Sequence, residues 1–308
     1  MGSSDVRRVG SYLEHLAPGD LDWLAACARR PGEAHSEAVT RLRDDLATLE
    51  ATLADPATEQ ALLPAGADEA EPLLHASPFL LFAVLVHRVH HRLGQARHLE
   101  EWVGPHQRVP VFAAGQVAEL LDGGWHRLFL AELLASYTHV ASGSIWVTDR
   151  GGQRRRRRVS ELDPRRLAEL LQVMPESEHA GIYRRLGDVA LFLTGVFPDH
   201  TATQLFRDMD VVQLSAAVPD ELDRPEHGGD GESLAHAMTV RGTVGLLEHL
   251  GARWYRSAQQ AGAGAAGTAQ ALPVMADRFG DARRALNVVA DRYLFNGPQA
   301  KGPTLPPA

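Results

Sequence analysis

A chain of 308 residues, 44% of them apolar, can bury a substantial core as one large domain or two ordinary ones. Its formal net charge is −8, and its cations are thirty arginines and a single lysine, Lys301, so any basic surface has to be a local feature. The lone cysteine, Cys27, excludes an intramolecular disulfide framework and any cysteine-rich zinc site. The longest apolar run, Phe79 to Val86, falls well short of the roughly 20 residues a membrane span needs.

The first twenty residues hold no apolar run of signal-peptide length, which sets the expectation of a cytoplasmic protein with no membrane association. Asp20 reads as the cap of a helix over DLDWLAACARR that stops at Pro31-Gly32, and within it Cys27 is expected to be a buried, inert thiol. Leucines at helical spacing continue from Glu33 to Leu53, and Asp55-Pro56 opens another short helix. The stretch PAGADEAEP, residues 64–72, is small, acidic and bounded by prolines. It is expected to link an N-terminal helical segment, 1–63, to a main domain, 73–297, with a disordered tail over 298–308.

Ser77, with Pro78 at the first helical position, starts a long helix whose pattern carries through HRVHHRLGQARHLEEW. Phe79, Phe82, Val86, Val89 and Leu93 form its core stripe. His87 and His91 are four apart and so share a face, a spacing that can share a metal ion or serve a haem. His98 lies seven residues beyond His91, about 10 Å along the axis and too far to join them. A third ligand has to come from elsewhere, with His126, His139, Glu100 and Glu101 as candidates. The structural alternative is a stripe of Leu80, Val84, His87 and His91 that begins in the core and emerges as polar, partly buried imidazoles.

After the extended piece VPVF the pattern predicts helices near Ala114 to Leu121 and Trp125 to Ala141, and then the period changes. SIWVT is β-branched and aromatic, Gly151-Gly152 marks a turn, and RRRRR follows, which predicts one β-hairpin over about residues 145–159. Strand alternation would put Arg154, Arg156 and Arg158 on one side and Arg155 and Arg157 on the other. Guanidinium forks match carboxylates and phosphates, and Trp146 or the arginines can stack on planar groups. The ribbon therefore suits an acidic protein or a phosphorylated ligand. Nucleic acid ranks behind these, because the whole chain is acidic and no helix-turn-helix, zinc-finger or RNA-binding signature accompanies the run. Protection of a sheet edge, or pairing with the chain's own carboxylates, is the structural alternative.

Asp163-Pro164 starts a helix that closes at Met174, and further helices are predicted at about Glu178 to Phe197, Ala202 to Ala217 and Glu232 to Gln260. In the first of these three, Asp188 sits in an otherwise apolar stretch and needs a partner once buried. Arg184 or Arg185 can supply it locally, and Arg283, Arg284 or Arg292 at a distance. Arg185, Asp188 and Arg284 are accordingly candidates for the wall of a charged ligand pocket, with a structural ion pair as the alternative. The last helix, Val274 to Phe295, carries Phe279, Ala282, Leu286, Val289 and Tyr293 on one face.

GAGAAG, Gly262 to Gly267, matches the dinucleotide fingerprint letter for letter. That fingerprint works only between a strand and a helix, and RWYRSAQQ before it reads as helix, so neither NAD nor FAD is expected. GxSxG and HExxH are absent from the sequence, which leaves open whether the chain is an enzyme.

The stretches ELLASYTHVASG, SELDP, YRRLGDVALFLTGVFPDH, LLEHLGARWYR and ARRALNVVADRYLF resemble those of an uncharacterised actinobacterial helical protein family. The resemblance implies one integrated unit after Ser77 with the hairpin inside it, and a shared scaffold around Asp188 and Arg284. It brings no activity or cofactor with it. The expected protein is mainly α-helical, a multi-helix bundle with one inserted hairpin, that binds an anionic partner through Arg154 to Arg158. Alternatives are a metal- or haem-dependent enzyme or sensor using His87 and His91, or a structural subunit of a larger assembly or homo-oligomer.

Overall fold

The computed structural model describes residues 3–64, 75–138, 142–148, 154–160, 162–203, 208–218, 234–262 and 266–295. For residues 3–4, 142–148, 154–160, 208–210, 234–237 and 240 the description is of the backbone alone. The chain is mainly α-helical with the inserted hairpin at its expected place. Nearly all of the stretch expected as a linker, the polar loop 219–233 and the tail lie outside the described residues.

Two compact units divide the chain elsewhere than at 64–72. The first takes residues 1–101, 110–135 and 284–308; the second takes 102–109 and 136–283.

In the first unit the N-terminal helices are α1 (Ser3–His15), α2 (Pro18–Ala28), α3 (His35–Asp44), α4 (Leu46–Ala54) and α5 (Pro56–Leu62). They pack with α6 (Pro78–Leu93), α7 (Ala114–Asp122) and α8 (Gly124–Ser136) around Tyr12, Leu24, Leu42, Leu49, Leu80 and Leu128. Helix α2 starts earlier than expected, because Pro18 takes its first position and Asp20 falls at the third. There the buried Asp20 carboxylate accepts the Ala17 amide at 2.8 Å and also the Ser77 amide at 2.9 Å, which ties the starts of α2 and α6 together. Cys27 is exposed, a correction to its expected burial. The buried residues of α2, Asp20, Leu21, Leu24 and Ala25, all precede residue 26, and Cys27 stands among residues 26–28 at its end, which are exposed or half-buried.

Ser77 caps α6 as expected, its hydroxyl accepting the Leu80 amide at 3.1 Å, and all five residues of the expected stripe are buried. The helix does not run through Trp102. It ends at Leu93-Gly94, and residues Leu99–Gly104 form strand β1, paired with β2 (Gln107–Val111) in a second two-stranded sheet. Pro105 and His106 make the turn, with His106 at φ 57°, the left-handed conformation a type II turn needs at that position.

The second unit holds β3 (Ser142–Thr148), β4 (Arg154–Ser160), α9 (Pro164–Leu170), α10 (His179–Val196), α11 (Pro198–Thr203), α12 (Asp208–Ala216), α13 (Leu234–Gln260) and α14 (Leu272–Asp277). Asp163 caps α9, as its place before Pro164 predicts. Its centre is the pair α10 and α13, with Leu186, Val189 and Ala190 of one and Leu246, Leu247, Leu250 and Trp254 of the other all buried. Glycine lets them approach. A Cβ on Gly187 would stand 2.4 Å from the Tyr255 ring, and one on Gly251 would stand 2.5 Å from Phe279.

The last helix is broken where one was expected: α14 is followed by α15 (Phe279–Val289) and a π-helical turn, Ala290–Leu294. Phe279, Ala282, Leu286 and Val289 are nonetheless all buried, as their shared face predicted.

Candidate functional site

β4 is RRRRRVS, so five arginines in a row become strand and not loop. It pairs antiparallel with β3 in the register Thr148↔Arg154, Trp146↔Arg156 and Ser144↔Arg158, with Val147↔Arg155 and Ile145↔Arg157 between. Residues 149–153 of the connection lie outside the described residues, and so do the side chains of both strands.

Asp188 is buried in α10 and accepts the Tyr255 hydroxyl at 2.9 Å. Arg184, one turn earlier, has Nε 3.8 Å from the carboxylate and also donates to Thr268 Oγ1 at 3.0 Å. Burial, and then the Asp188 charge beside it, pushes the Tyr255 phenol well above its ordinary value, so it stays a protonated donor. Arg185 has its guanidinium 4.2 Å from the Tyr137 ring centre and 3.3 Å from Ser136 Oγ. Tyr137 in turn stacks on Phe192 at 4.2 Å. Arg284 belongs to the first unit, where it is hydrogen-bonded to the buried Glu101. Arg283, also considered for Asp188, is fully buried in the second unit with Nε 3.2 Å from Glu248.

The two histidines of α6 also separate. His87 is 2% exposed and lies 2.8 Å from the Tyr12 hydroxyl, whereas His91 is exposed and contacts Gln95 at 3.2 Å. Burial first, then the charges of Arg127, His90 and Arg8, holds the His87 imidazole well below its ordinary value, so it is neutral. His126 Nδ1 lies 2.7 Å from the Leu120 carbonyl, and His139 lies outside the described residues. Among the described residues there is no group of three His, Cys, Asp or Glu placed to hold a metal ion. The histidine spacing on α6 therefore places two ligands without a described third, and the structure accounts for His87 by Tyr12.

Sequence reasoning missed the polar hub of the first unit. Glu59 of α5 accepts from Arg88 at 2.6 Å, from Arg92 at 2.8 Å and from the Tyr293 hydroxyl at 3.0 Å. Burial alone would raise its carboxyl, but the Arg88 hydrogen bond, the Arg92 charge and the Tyr293 bond outweigh that and hold it below its ordinary value. In the second unit Asp199 plays a similar part, accepting the Trp102 indole N–H at 2.8 Å and the His106 amide at 2.7 Å. Nothing near Glu59 or Asp199 in the sequence signals partners more than 90 residues distant.

No described helix is long and apolar enough to cross a membrane. Before the glycine-rich Gly262–Gly267 stands the helix α13, where a dinucleotide fingerprint requires a strand. Comparison with family models, with curated proteins and with solved structures finds no match for this chain.

Proposed function

We propose that this is a binding protein that engages an anionic partner through the arginine strand of its second hairpin. One observation carries the reading: five arginines stand consecutively in β4, and among the described residues β4 pairs with β3 alone. Five cationic residues over about 17 Å of strand concentrate positive charge on a chain whose net charge is −8. Nothing in a hairpin's folding requires such a run, since arginine has no special strand propensity and adjacent like charges repel. An anion that accepts several guanidinium forks offsets that repulsion.

The test is retention on an immobilised polyanion such as heparin, for the native chain and for a variant with Arg154, Arg156 and Arg158 replaced by glutamine. The variant should elute at clearly lower salt with an unchanged thermal midpoint. A variant that elutes with the native chain sinks the proposal. One that loses several degrees of thermal midpoint shows that the arginines pair inside the protein instead.

A further inference from the structure

The register of the second hairpin carries the anion-binding reading further, to a class of ligand. In antiparallel pairing, residues directly opposite one another fall on the same face, and successive residues alternate between faces. Trp146 is opposite Arg156, Ser144 is opposite Arg158, and Thr148 is opposite Arg154. One face of the ribbon thus takes three arginines, the tryptophan and four hydroxyl residues, Ser142, Ser144, Thr148 and Ser160. The other takes Ile145, Val147 and Val159 together with Arg155 and Arg157. A slip of one residue would have put Trp146 with Arg155 and Arg157 instead, so this sorting is a property of the register and not of the sequence alone.

The composition of the first face selects among polyanions. Three arginines at every second position stand about 6.8 Å apart along the strand, comparable with the step between successive phosphates of an extended nucleic-acid strand. A tryptophan placed across from the central arginine adds a planar apolar surface within that row of charge. An acidic peptide offers carboxylates but no regular planar partner for it, and in a duplex the bases already stack on each other. Unpaired bases joined by phosphates offer both groups at once.

The net charge of −8 does not oppose this at physiological salt, since carboxylates more than about 10 Å from the ribbon are largely screened at 0.1 M ionic strength.

We propose that the face carrying Trp146, Arg154, Arg156 and Arg158 binds single-stranded nucleic acid, the arginines on phosphates and the tryptophan on a base. The proposal rests on the anion-binding reading above. RNA and DNA strands share this chemistry.

The experiment is fluorescence anisotropy with four labelled probes: a single-stranded oligothymidylate and an oligouridylate of about 12 nucleotides, a DNA duplex of matching length, and polyglutamate. The proteins are the native chain, R154Q/R156Q/R158Q, R155Q/R157Q and W146A, each first shown to keep the native thermal midpoint. The native chain should bind at least one single strand tighter than the duplex and the polyglutamate. The triple variant and W146A should each lose about tenfold or more in affinity for that strand, while R155Q/R157Q loses less than the triple variant. Polyglutamate binding equal to that of the strands, with W146A unchanged, overturns the nucleic-acid proposal and leaves the anion-binding reading standing. Absence of binding to all four probes overturns both. Should W146A fail to keep its midpoint, W146L, apolar but unable to stack, replaces it, and a single-strand affinity of W146L equal to that of the native chain counts against the proposal.

Discussion

The Tyr12 hydroxyl and His87 Nε2 lie 2.8 Å apart, and both groups are buried and uncharged. Burial raises the phenol's pKa and lowers the imidazole's, so the two share one hydrogen bond as neutral partners. Arg127 and Arg8, which pair with Glu50 in the same unit, add positive charge that opposes protonation of His87.

This makes His87 a source of acid sensitivity. Its folded-state pKa lies below the ordinary 6.5, so the unfolded chain takes up a proton at a higher pH than the folded one. The contribution to stability is complete above 6.5 and is lost as pH falls from there through the folded-state value. His87→Gln retains a hydrogen-bonding group without a titrating one. Urea unfolding at about pH 7.5 and about pH 5.5 should show a smaller acid loss for the variant than for the native chain. Equal losses would assign the sensitivity to other groups.

Glu59 makes a sharper prediction about structure. Arg88, 6% exposed, also donates to the Ala54 carbonyl at 2.7 Å, so removing the Glu59 charge leaves a buried guanidinium with one main-chain partner. Glu59→Gln should cost about 2–3 kcal/mol of unfolding free energy, at or below the bottom of the range for breaking a fully buried pair, because Glu59 keeps some exposure and glutamine can still accept one hydrogen bond. Arg92 is 30% exposed, and Arg92→Met should cost under about 1 kcal/mol. Comparable losses for the two variants in urea titrations would show that the pair with Arg88 is not the dominant one.

What the sequence disclosed and what it withheld divide along the range of the interactions. Helix starts were legible because a cap acts on its own backbone: Ser77 before Pro78 and Asp163 before Pro164 both bind amides two or three residues on. Core stripes were legible for the same local reason. The end of α6 did carry a local signal, Gly94, but HLEEW beyond it has a helix-compatible composition, and its strand depends on pairing with Gln107–Val111. The partners of the candidate residues were equally hidden. Asp188 visibly needs a donor, but Tyr255 lies 67 residues on, and nothing around either residue links them in the sequence. The two histidines share a helical face, yet α6 passes from buried at His87 to exposed at His91 within one turn. The hairpin's arginines kept their expected element, because a β-branched strand, a glycine turn and a return strand are local signals.

Two glycines of α10 should respond to the same substitution with opposite sign. Gly187 faces the Tyr255 ring, and an added methyl at 2.4 Å has to displace either that ring or the helix α13 that carries it. Gly187→Ala should destabilise by about 1–3 kcal/mol. Gly181 is exposed in the first turn of the helix with nothing within 4 Å of a Cβ, so Gly181→Ala should stabilise, by up to about 1 kcal/mol. Thermal midpoints of the two variants measured against the native chain decide it. A shift of the same sign in both would mean that α10 and α13 do not meet at Gly187.

Gly242 tests the shape of α13. The helix is interrupted there by a residue at φ 55° and ψ −133°, a conformation that L-residues rarely adopt, and Arg241 before the break bonds Glu248 beyond it at 2.8 Å. A Cβ at Gly242 meets no neighbouring atom, so the effect of Gly242→Ala comes from the backbone alone. With the kink present, alanine is forced into a strained conformation and should cost about 1–3 kcal/mol in urea unfolding. In a continuous helix the same change would instead stabilise by up to about 1 kcal/mol and raise the helical signal in circular dichroism. The sign therefore reports on the backbone at residue 242 directly, because no side-chain contact competes with it.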